Sequence, residues 1–457
     1  MAREPGSDAA PGAPPAPGSR PAFGEALRFW ARLGCINFGG PTGQISIMHQ
    51  ELVERRRWIG EGPFLHALSY CMLLPGPEAT QLAIYVGWLL HGAGGGIAAG
   101  VLFVLPAFFV LLGLSWVYAV HGDVGWVAAV LDGLGPAVVG IVGAALIRVA
   151  GRTLRSGPAW AVAGAAFVLL GLVGVPFPAV VLMAGLLGLA VGRRLPGAFV
   201  PPIEPTEDGG PAGPAPRVGR GWRRSARVLA AGLLAWWGPL GLVALLRGPE
   251  DVLTQEALFF SQLAVVTFGG AYAVLAYLNQ AAVDRFGWLA QGEMVTGLGL
   301  AETTPGPLIM VTEFVGFLAA YRDPGGLPPV LAGVLGAAVT TWATFAPSFL
   351  WILLGAPYVE RLRGSGRLAS GLGAITASVV GVIATLALTF GVHVLFARVA
   401  ERSLLGAVVP VPDPASFDPV AFLVAAAVFL GVWRRGWSVP AVVAGSAAVG
   451  LLRAVLG

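Results

Sequence analysis

The sequence predicts an all-α polytopic membrane protein, built from two homologous halves that are inverted repeats with broken or re-entrant helices. Apolar residues make up 56% of the 457 residues and charged residues only 11%, where a soluble domain carries roughly 25% charged residues. Mean hydropathy is +0.77, and apolar stretches reach about 20 residues, the length of a membrane-spanning helix. This composition excludes a water-soluble enzyme, and an internal repeat indicates the duplication.

The repeat is visible because groups of residues in the first half recur in the second half. A shift of 230 positions matches Phe38-Gly39-Gly40 with Phe268-Gly269-Gly270, and Pro75-Gly76-Pro77 with Pro305-Gly306-Pro307. Further matches are Gln50 with Gln280, Arg55 with Arg285, Trp58 with Trp288 and, after an insertion around 321–329, Pro106 with Pro347. A series of matches in one register indicates gene duplication.

The chain divides into five parts. Residues 1–22, rich in Pro, Gly and Ala, predict a disordered tail that stays in the cytoplasm, since no cleavable signal peptide precedes the first apolar stretch. Residues 23–195 form the first repeat, and the low-complexity stretch 196–227 is a cytoplasmic linker. Residues 228–247 form an extra membrane helix, and 248–457 form the second repeat.

Each half contributes six apolar segments that predict membrane helices. In the first half they cover about 24–49, 63–91, 97–120, 124–147, 158–174 and 177–192. In the second half they cover about 255–279, 293–320, 328–357, 369–397, 418–433 and 437–456. The total is about 10–13 membrane segments, according to whether the first two segments of each half span the bilayer or re-enter it.

The distribution of arginine predicts the orientation. All 28 basic residues are Arg, and cytoplasmic loops carry an excess of positive charge. With the N-terminus in the cytoplasm and the second half inverted by the extra helix, the Arg-rich loops of both halves face the cytoplasm. The loops near 121–124 and 175–178, which contain no Arg, and the acidic loop 398–418 then face outward.

Gly and Pro interrupt two segments of each half at equivalent positions. A broken helix exposes unpaired N–H groups that bind anions without a buried cation, and inverted repeats with broken helices are typical of secondary transporters. Gly and Pro also serve close packing and simple kinks in membrane helices, but their paired placement favours a substrate site where the repeats meet. The candidate substrate-binding residues are Gly39, Gly40, Pro41, Thr42, Gln44, Pro75, Gly76, Pro77, Thr80, Gln81, Gly269, Gly270, Thr303, Thr304, Pro305, Gly306 and Pro307.

Carboxyl groups in apolar stretches are candidates for carrying a coupled proton. Glu302 and Glu78 lie beside the Pro-Gly-Pro motifs, and Glu313 is a third, weaker candidate. An ionised carboxylate at that depth is costly, so such a carboxyl could carry a coupled proton. The alternative is that Glu78 or Glu302 is a helix N-terminal acid at the water boundary.

Several other residues have simpler interpretations. Arg28 and Arg32 share one face of the first segment, where they either snorkel to the cytoplasmic interface or attract an anion. Trp58 and Trp288 predict interfacial anchors, and both cysteines are expected to be buried small residues. No spacing indicates a catalytic group, a metal site, a cofactor or a nucleic-acid partner.

Together these motifs resemble the chromate ion transporter family in its long, duplicated form. The resemblance covers about 24–192 and 255–456. The motifs that carry it are Phe38-Gly39-Gly40-Pro41, Leu74-Pro75-Gly76-Pro77, Tyr85-Val86-Gly87, Phe268-Gly269-Gly270-Ala271-Tyr272, Glu302-Thr303-Thr304-Pro305-Gly306-Pro307 and Phe314-Val315-Gly316-Phe317. It implies proton-motive-force-driven export of chromate across the bacterial inner (plasma) membrane, and chromate resistance.

Other functions remain open at the level of sequence. Sulfate and other tetrahedral oxyanions share the shape of chromate, and Glu78 departs from the small or amide residue usual in the family. A channel is a further alternative, and a membrane-embedded enzyme acting on lipid phosphates is a remote one. ATP-driven transport is not supported, since a chain without Lys has no Walker motif. The partners expected are an oxyanion, protons and the bilayer, with a homodimer left open.

Overall fold

The computed structural model of the chain describes residues 20–192, 198–199, 221–268, 271–290, 292–358, 366–404 and 407–456. In these ranges it has sixteen α-helices and one two-stranded sheet, which confirms the all-α polytopic fold class. Six of the helices are long and apolar enough to cross a bilayer. Most of the predicted tail and linker, and also Gly269 and Gly270, lie outside the described residues.

The helices follow the predicted segments in order. In the first half they are α1 (Phe23–Ile36), α2 (Gly40–His49), α3 (Glu61–Cys71), α4 (Glu78–His121), α5 (Gly125–Thr153), α6 (Gly157–Gly171) and α7 (Phe177–Val191). After α8 (Trp222–Arg247) the second half contains α9 (Val252–Val266), α10 (Ala271–Asn279), α11 (Glu293–Thr303), α12 (Val311–Arg322), α13 (Pro329–Gly355), α14 (Gly366–Leu395), α15 (Pro419–Arg435) and α16 (Val439–Leu456). Helices α2 and α10 each continue into a π-helical segment, Gln50–Arg55 and Gln280–Arg285.

The helices break where the sequence predicts interruptions. The first segment of each half divides into two helices, α1 and α2 or α9 and α10, and the second divides at Pro-Gly-Pro. Pro lacks an N–H donor and clashes with the preceding turn, so neither motif can continue a helix. The two halves therefore contain the same sequence of broken elements.

The 44 residues of α4 form a hairpin of two antiparallel helical arms. Non-helical backbone at His91 and Gly92 reverses its direction. As a result Gly87 faces the carbonyl of Gly95, which would lie 2.5 Å from a Cβ placed on Gly87. The second half builds the same hairpin from α12 and α13, with Gly316 against Gly336.

The two halves exchange their terminal helix pairs. Long helix α5 packs against α15 and α16 of the other half, while the equivalent α14 packs against α6 and α7. Small residues allow these close contacts: a Cβ on Gly133 would lie 3.2 Å from the Cα of Gly450, and one on Gly188 would lie 2.9 Å from the Cα of Gly371. The core is therefore shared by both halves.

Helix α8 joins the halves and packs against α9 and α13. It begins at Trp222, inside the stretch predicted as linker. The Trp236 indole donates to Ser261 Oγ at 3.2 Å, and the Trp342 indole donates to the carbonyl of Ala235 at 3.0 Å. These contacts fix the extra helix against the second half.

Three local features differ from the sequence predictions. A β-hairpin, β1 (Val399–Leu404) with β2 (Ala407–Pro412), occupies the loop before α15. Trp58 and Trp288 are each only 6% exposed because they pack with Phe29 and Phe259, so their assignment as interfacial anchors is wrong. Cys71 is buried as predicted, but Cys35 is exposed.

Candidate functional site

The broken helices of the two halves meet through a pair of equivalent backbone hydrogen bonds. The N–H of Gly76 donates to the carbonyl of Thr267 at 2.8 Å, and the N–H of Gly306 donates to the carbonyl of Asn37 at 2.9 Å. Gly306 is the repeat equivalent of Gly76, and Thr267 is the equivalent of Asn37. Each Pro-Gly-Pro motif is therefore held by the break in the first helix of the other half, as expected for a pseudo-twofold relation.

Glycine is required at the centre of both motifs. Gly76 has φ +121° and Gly306 has φ +149°, backbone conformations that are costly for residues with a Cβ. A Cβ on Gly306 would lie 2.3 Å from the Cβ of Ala107, and one on Gly76 would lie 3.0 Å from Ser348 Oγ. Ser348 and Ala107 occupy equivalent positions after Pro347 and Pro106, so both hairpins approach the opposite motif in the same way.

Two glutamines of the first half brace the broken backbone. Gln44 Nε2 donates to the carbonyl of Gly306, and Gln81 Nε2 donates to the carbonyl of Pro75 at 2.7 Å. Their repeat equivalents are Val274 and Val311, which cannot make such bonds. Both glutamines were predicted as substrate ligands, and in this structure each uses its amide nitrogen to hold the broken backbone.

Three buried polar side chains around the breaks lack a partner among the described residues. They are Asn37, Thr80 and Ser348, exposed to 0%, 0% and 1%, and their Nδ2, Oγ1 and Oγ atoms make no hydrogen bond. Buried polar groups without partners are rare in native structures and indicate a bound water, ion or ligand. All three are neutral donors, the groups that hold an oxyanion without a fixed positive charge.

The threonines predicted as substrate ligands beside the second motif donate their hydroxyls to backbone carbonyls. Thr303 Oγ1 donates to the carbonyl of Leu300 at 2.6 Å, and Thr304 Oγ1 donates to that of Ala301 at 2.8 Å. Both hydroxyls therefore donate to carbonyls in the last turn of α11. They close this helix end, whereas the Thr80 hydroxyl in the first half has no hydrogen-bond partner among the described residues.

The acidic candidates occupy distinct environments. Glu302 is 5% exposed, and its Oε1 accepts a hydrogen bond from Tyr272 Oη at 2.9 Å. That hydroxyl also lies 3.9 Å from the position of a Cβ on Gly40, which places Glu302 near the first-half break. Glu78 is half-buried at the first position of α4, where the helix dipole favours an acid. Glu313 is fully buried, and neither of its carboxyl oxygens has a partner among the described residues.

The remaining predicted residues lie at the start of α2. Gly39 and Gly40 have φ +94° and +66°, and Pro41 is in the first turn of α2. The backbone of Thr42 is in the same turn, but its side chain is outside the described part of the structure. The structure thus places Gly306 and Glu302 beside the first-half break, and Gly76 beside the break between α9 and α10.

Sequence reasoning missed Asn37, Thr267, Ser348, Tyr272 and a buried acid, Glu256. Asn37 and Thr267 directly precede the two Phe-Gly-Gly motifs, and their polar character before a helix break is a signal that could have identified them. Ser348 follows a helical Pro in an apolar run, which carries no comparable signal. Glu256 is fully buried in α9, and both of its carboxyl oxygens lack a partner among the described residues.

Comparisons with known proteins identify similar sequences over most of the chain. A family model described as "Chromate transporter" matches residues 24–189 and 254–451. The chromate transport protein of Cupriavidus metallidurans is 29% identical over 429 residues, which are 94% of this chain and 92% of the relative. The chromate transport protein of Pseudomonas aeruginosa is 30% identical over 360 residues, 77% of each chain.

A shorter relative supports the duplication. An uncharacterised transporter of Bacillus subtilis is 29% identical over 143 residues, which are 31% of this chain and 72% of the relative. That relative is therefore less than half as long as this chain. No solved structure matches the fold.

Proposed function

This chain belongs to the chromate transporter family, and from that premise we propose that it is a secondary transporter that exports chromate from the cytoplasm at the expense of the proton motive force. The observation that carries the proposal is the reciprocal pair of hydrogen bonds between the broken helices, with unpaired neutral donors buried around it. Broken helices at the junction of two repeats are where secondary transporters bind their substrates.

The proposed substrate site uses neutral donors in place of arginine. The side chains of Asn37, Thr80 and Ser348 are free to donate to the oxygens of a tetrahedral dianion, each bond to a charged group contributing about 1.5–3 kcal/mol. A fixed cation in the same place would hold the dianion too strongly for release. Neutral donors give an affinity that a conformational change can reverse.

Glu302 is the proposed carrier of the coupled proton. It is buried beside the breaks, and Tyr272 donates to it. A negative charge on Glu302 would repel a nearby dianion, so protonation of Glu302 strengthens oxyanion binding and deprotonation weakens it. Export follows if the membrane potential, negative inside, drives the bound dianion outward.

The proposed setting is the bacterial inner membrane, with the N-terminus in the cytoplasm and the second half inverted by α8. Arg148 and Arg152 at the end of α5, together with Arg434 and Arg435 at the end of α15, then lie on the cytoplasmic side. Export from this orientation lowers the cytoplasmic chromate concentration and gives resistance.

A carrier for sulfate or another tetrahedral oxyanion is the second candidate. The specific observation in its favour is that the unpaired donors are an amide and two hydroxyls, which recognise shape and charge without distinguishing chromium from sulfur. Selectivity between these anions then depends on the size of the site and the strength of the anion's hydration.

The test is uptake of chromate by inside-out membrane vesicles, with and without a proton gradient and with excess sulfate. We expect chromate to accumulate only with the gradient, and sulfate to compete weakly. Accumulation of labelled sulfate without chromate would replace chromate by sulfate as substrate. If neither anion moves when the protein is present in the membrane, the proposed function is wrong.

A further inference from the structure

A basic cavity lies beside α1, separate from the buried breaks. It has a volume of about 430 Å³ and is lined by Glu25, Arg28, Phe29, Arg32 and Arg56. Three guanidinium groups and one carboxylate give the lining a formal charge of +2. Such an excess of positive charge in a concave surface attracts anions and raises their local concentration.

The three arginines are only partly neutralised by the protein. Arg56 is 3.7 Å from Glu25 and 3.4 Å from Glu51, and its guanidinium lies 5.0 Å from the ring centre of Phe29. The Nε of Arg28 donates to a backbone carbonyl one turn back, at 3.3 Å. Arg32 is exposed and makes no contact with an acid among the described residues. Arg28 and Arg32 are therefore free to bind an anion.

The cavity leads towards the first helix break. Glu25, Arg28, Arg32 and Cys35 are exposed on one face of α1, which ends at Ile36, directly before Asn37. At 1.5 Å per residue, Arg32 precedes Asn37 by about 7.5 Å along the helix axis. A charged side chain so close to a broken membrane helix is costly in contact with lipid. This exposed face of α1 therefore traces a path from the cavity towards the break.

The second half has the same face without the charges. The repeat equivalents on α9 are Gln255, Leu258, Gln262 and Val265, and Leu258 and Val265 are exposed to 55% and 40%. The equivalent of Arg56 is Phe286, which stacks on Trp288 with ring centres 4.2 Å apart. The exposed faces of α1 and α9 thus have the same backbone structure but differ in charge. The arginines of α1 are therefore not needed for helix formation or packing.

We propose that the cavity lined by Arg28, Arg32 and Arg56 is a capture site for tetrahedral oxyanions, from which the anion moves along α1 to the broken helices. The cytoplasmic location of this site rests on the proposed function and its orientation. The uncharged equivalent surface on α9 would then be the exit, where weak attraction favours release. The difference between the two halves makes the affinity for anions higher at the entrance than at the exit, while the proton motive force sets the direction of net transport.

The first test replaces two arginines of α1 with the residues found at the equivalent positions of α9. Arg28→Leu with Arg32→Gln gives α1 the residues of α9, so the helix should fold. In inside-out vesicles the double variant should raise the KM for chromate about tenfold at low ionic strength, with kcat retained, and the difference should shrink in high salt. Arg152→Gln, which removes an exposed arginine of α5 outside the cavity, should leave KM unchanged. An unchanged KM in the double variant would overturn the proposal.

The second test does not depend on transport. In a Cys71→Ala background Cys35 is the only cysteine, and it is exposed on the path. A negatively charged methanethiosulfonate reagent should label it several-fold faster than a positively charged one, and sulfate should slow the labelling. Both effects should disappear in the Arg28→Leu, Arg32→Gln variant. Equal labelling by the two reagents, with no protection by sulfate, would refute capture even if the protein transports chromate.

The phosphate of a lipid headgroup has the same chemistry as a free tetrahedral oxyanion. The two ligands are distinguished by changing the lipid composition of the membrane. The labelling is repeated in nanodiscs of phosphatidylcholine alone and of phosphatidylcholine with phosphatidylglycerol. Protection by sulfate in both membranes supports an oxyanion site. Protection by phosphatidylglycerol without any effect of sulfate would assign the cavity to a lipid headgroup and overturn the proposal.

Discussion

Replacing Gly306 by alanine tests the close contact between one broken motif and the opposite hairpin. The new Cβ would lie 2.3 Å from the Cβ of Ala107, where two methyl carbons normally stand about 3.5–4.0 Å apart. Relief of this overlap requires the two carbons to move apart by about 1.2–1.7 Å. Such a movement also breaks the Gly306 to Asn37 hydrogen bond, now 2.9 Å long.

The expected cost follows from these contacts. Overpacking contributes about 1–3 kcal/mol, and the strained φ of +149° contributes about 1–3 kcal/mol for a residue with a Cβ. The paired arrangement is therefore destabilised by about 2–6 kcal/mol, and even the lower limit corresponds to a roughly 30-fold loss of the competent state. We expect chromate uptake to fall by at least that factor while the protein stays in the membrane.

A second substitution makes the prediction specific. With Ala107→Gly added, the nearest remaining atom is the Cα of residue 107 at 3.6 Å, an ordinary contact, so uptake should partly recover. Gly436→Ala is the control, because it also places alanine at a positive φ of +64° but meets nothing within 4 Å; its uptake should be unchanged. Wild-type uptake in Gly306→Ala, or no recovery in the double variant, would refute the reasoning.

Four further predictions concern other residues. Gly76→Ala should reduce uptake less than Gly306→Ala, because its Cβ meets the movable ends of Gln81 and Ser348; equal losses would contradict this. Glu302→Gln should abolish the pH dependence of uptake, and a wild-type pH profile would remove Glu302 from the coupling role. Tyr272→Phe removes the hydroxyl that donates to Glu302 at 2.9 Å, so the free energy of unfolding should fall by about 1–3 kcal/mol. A melting temperature equal to that of wild type would contradict this. Burial raises the pKa of Asp418, but the Ala421 N–H and Arg453 outweigh it and the pKa is lowered. Asp418→Asn should therefore lower the melting temperature at pH 7, by an amount that decreases as the pH falls from about 4 through the lowered pKa of Asp418. A difference that does not decrease between about pH 5 and about pH 2 would be inconsistent with this linkage.

The order of the helices and the positions of their breaks could be predicted because they depend on local residue types. Apolar stretches predict membrane helices, and Pro75-Gly76-Pro77 with its equivalent Pro305-Gly306-Pro307 cannot form a helix interior. The duplication further predicted that equivalent breaks should lie together. The hydrogen bonds at Gly76 and Gly306 have that reciprocal form.

Other features depend on contacts between residues distant in sequence. The sequence predicts a boundary between the segments 63–91 and 97–120, but the tight reversal at His91 and Gly92 depends on packing between the two arms of α4. Ser348 becomes part of the site only because α13 crosses the first motif. Trp58 is buried because Phe29 and Arg56 pack against it, which its position between two apolar segments does not reveal.

The most direct test of the proposed site is equilibrium binding of labelled chromate to the purified protein. Wild-type protein should bind about one chromate per chain at the breaks, and Asn37→Ala combined with Ser348→Ala should weaken binding at least tenfold. Ser115→Ala is the matched control, since Ser115 is also buried and unpaired but lies about 12 Å along the α4 helix from Ala107. Undiminished binding in the Asn37 and Ser348 double variant would show that chromate binds elsewhere and would contradict the proposed mechanism.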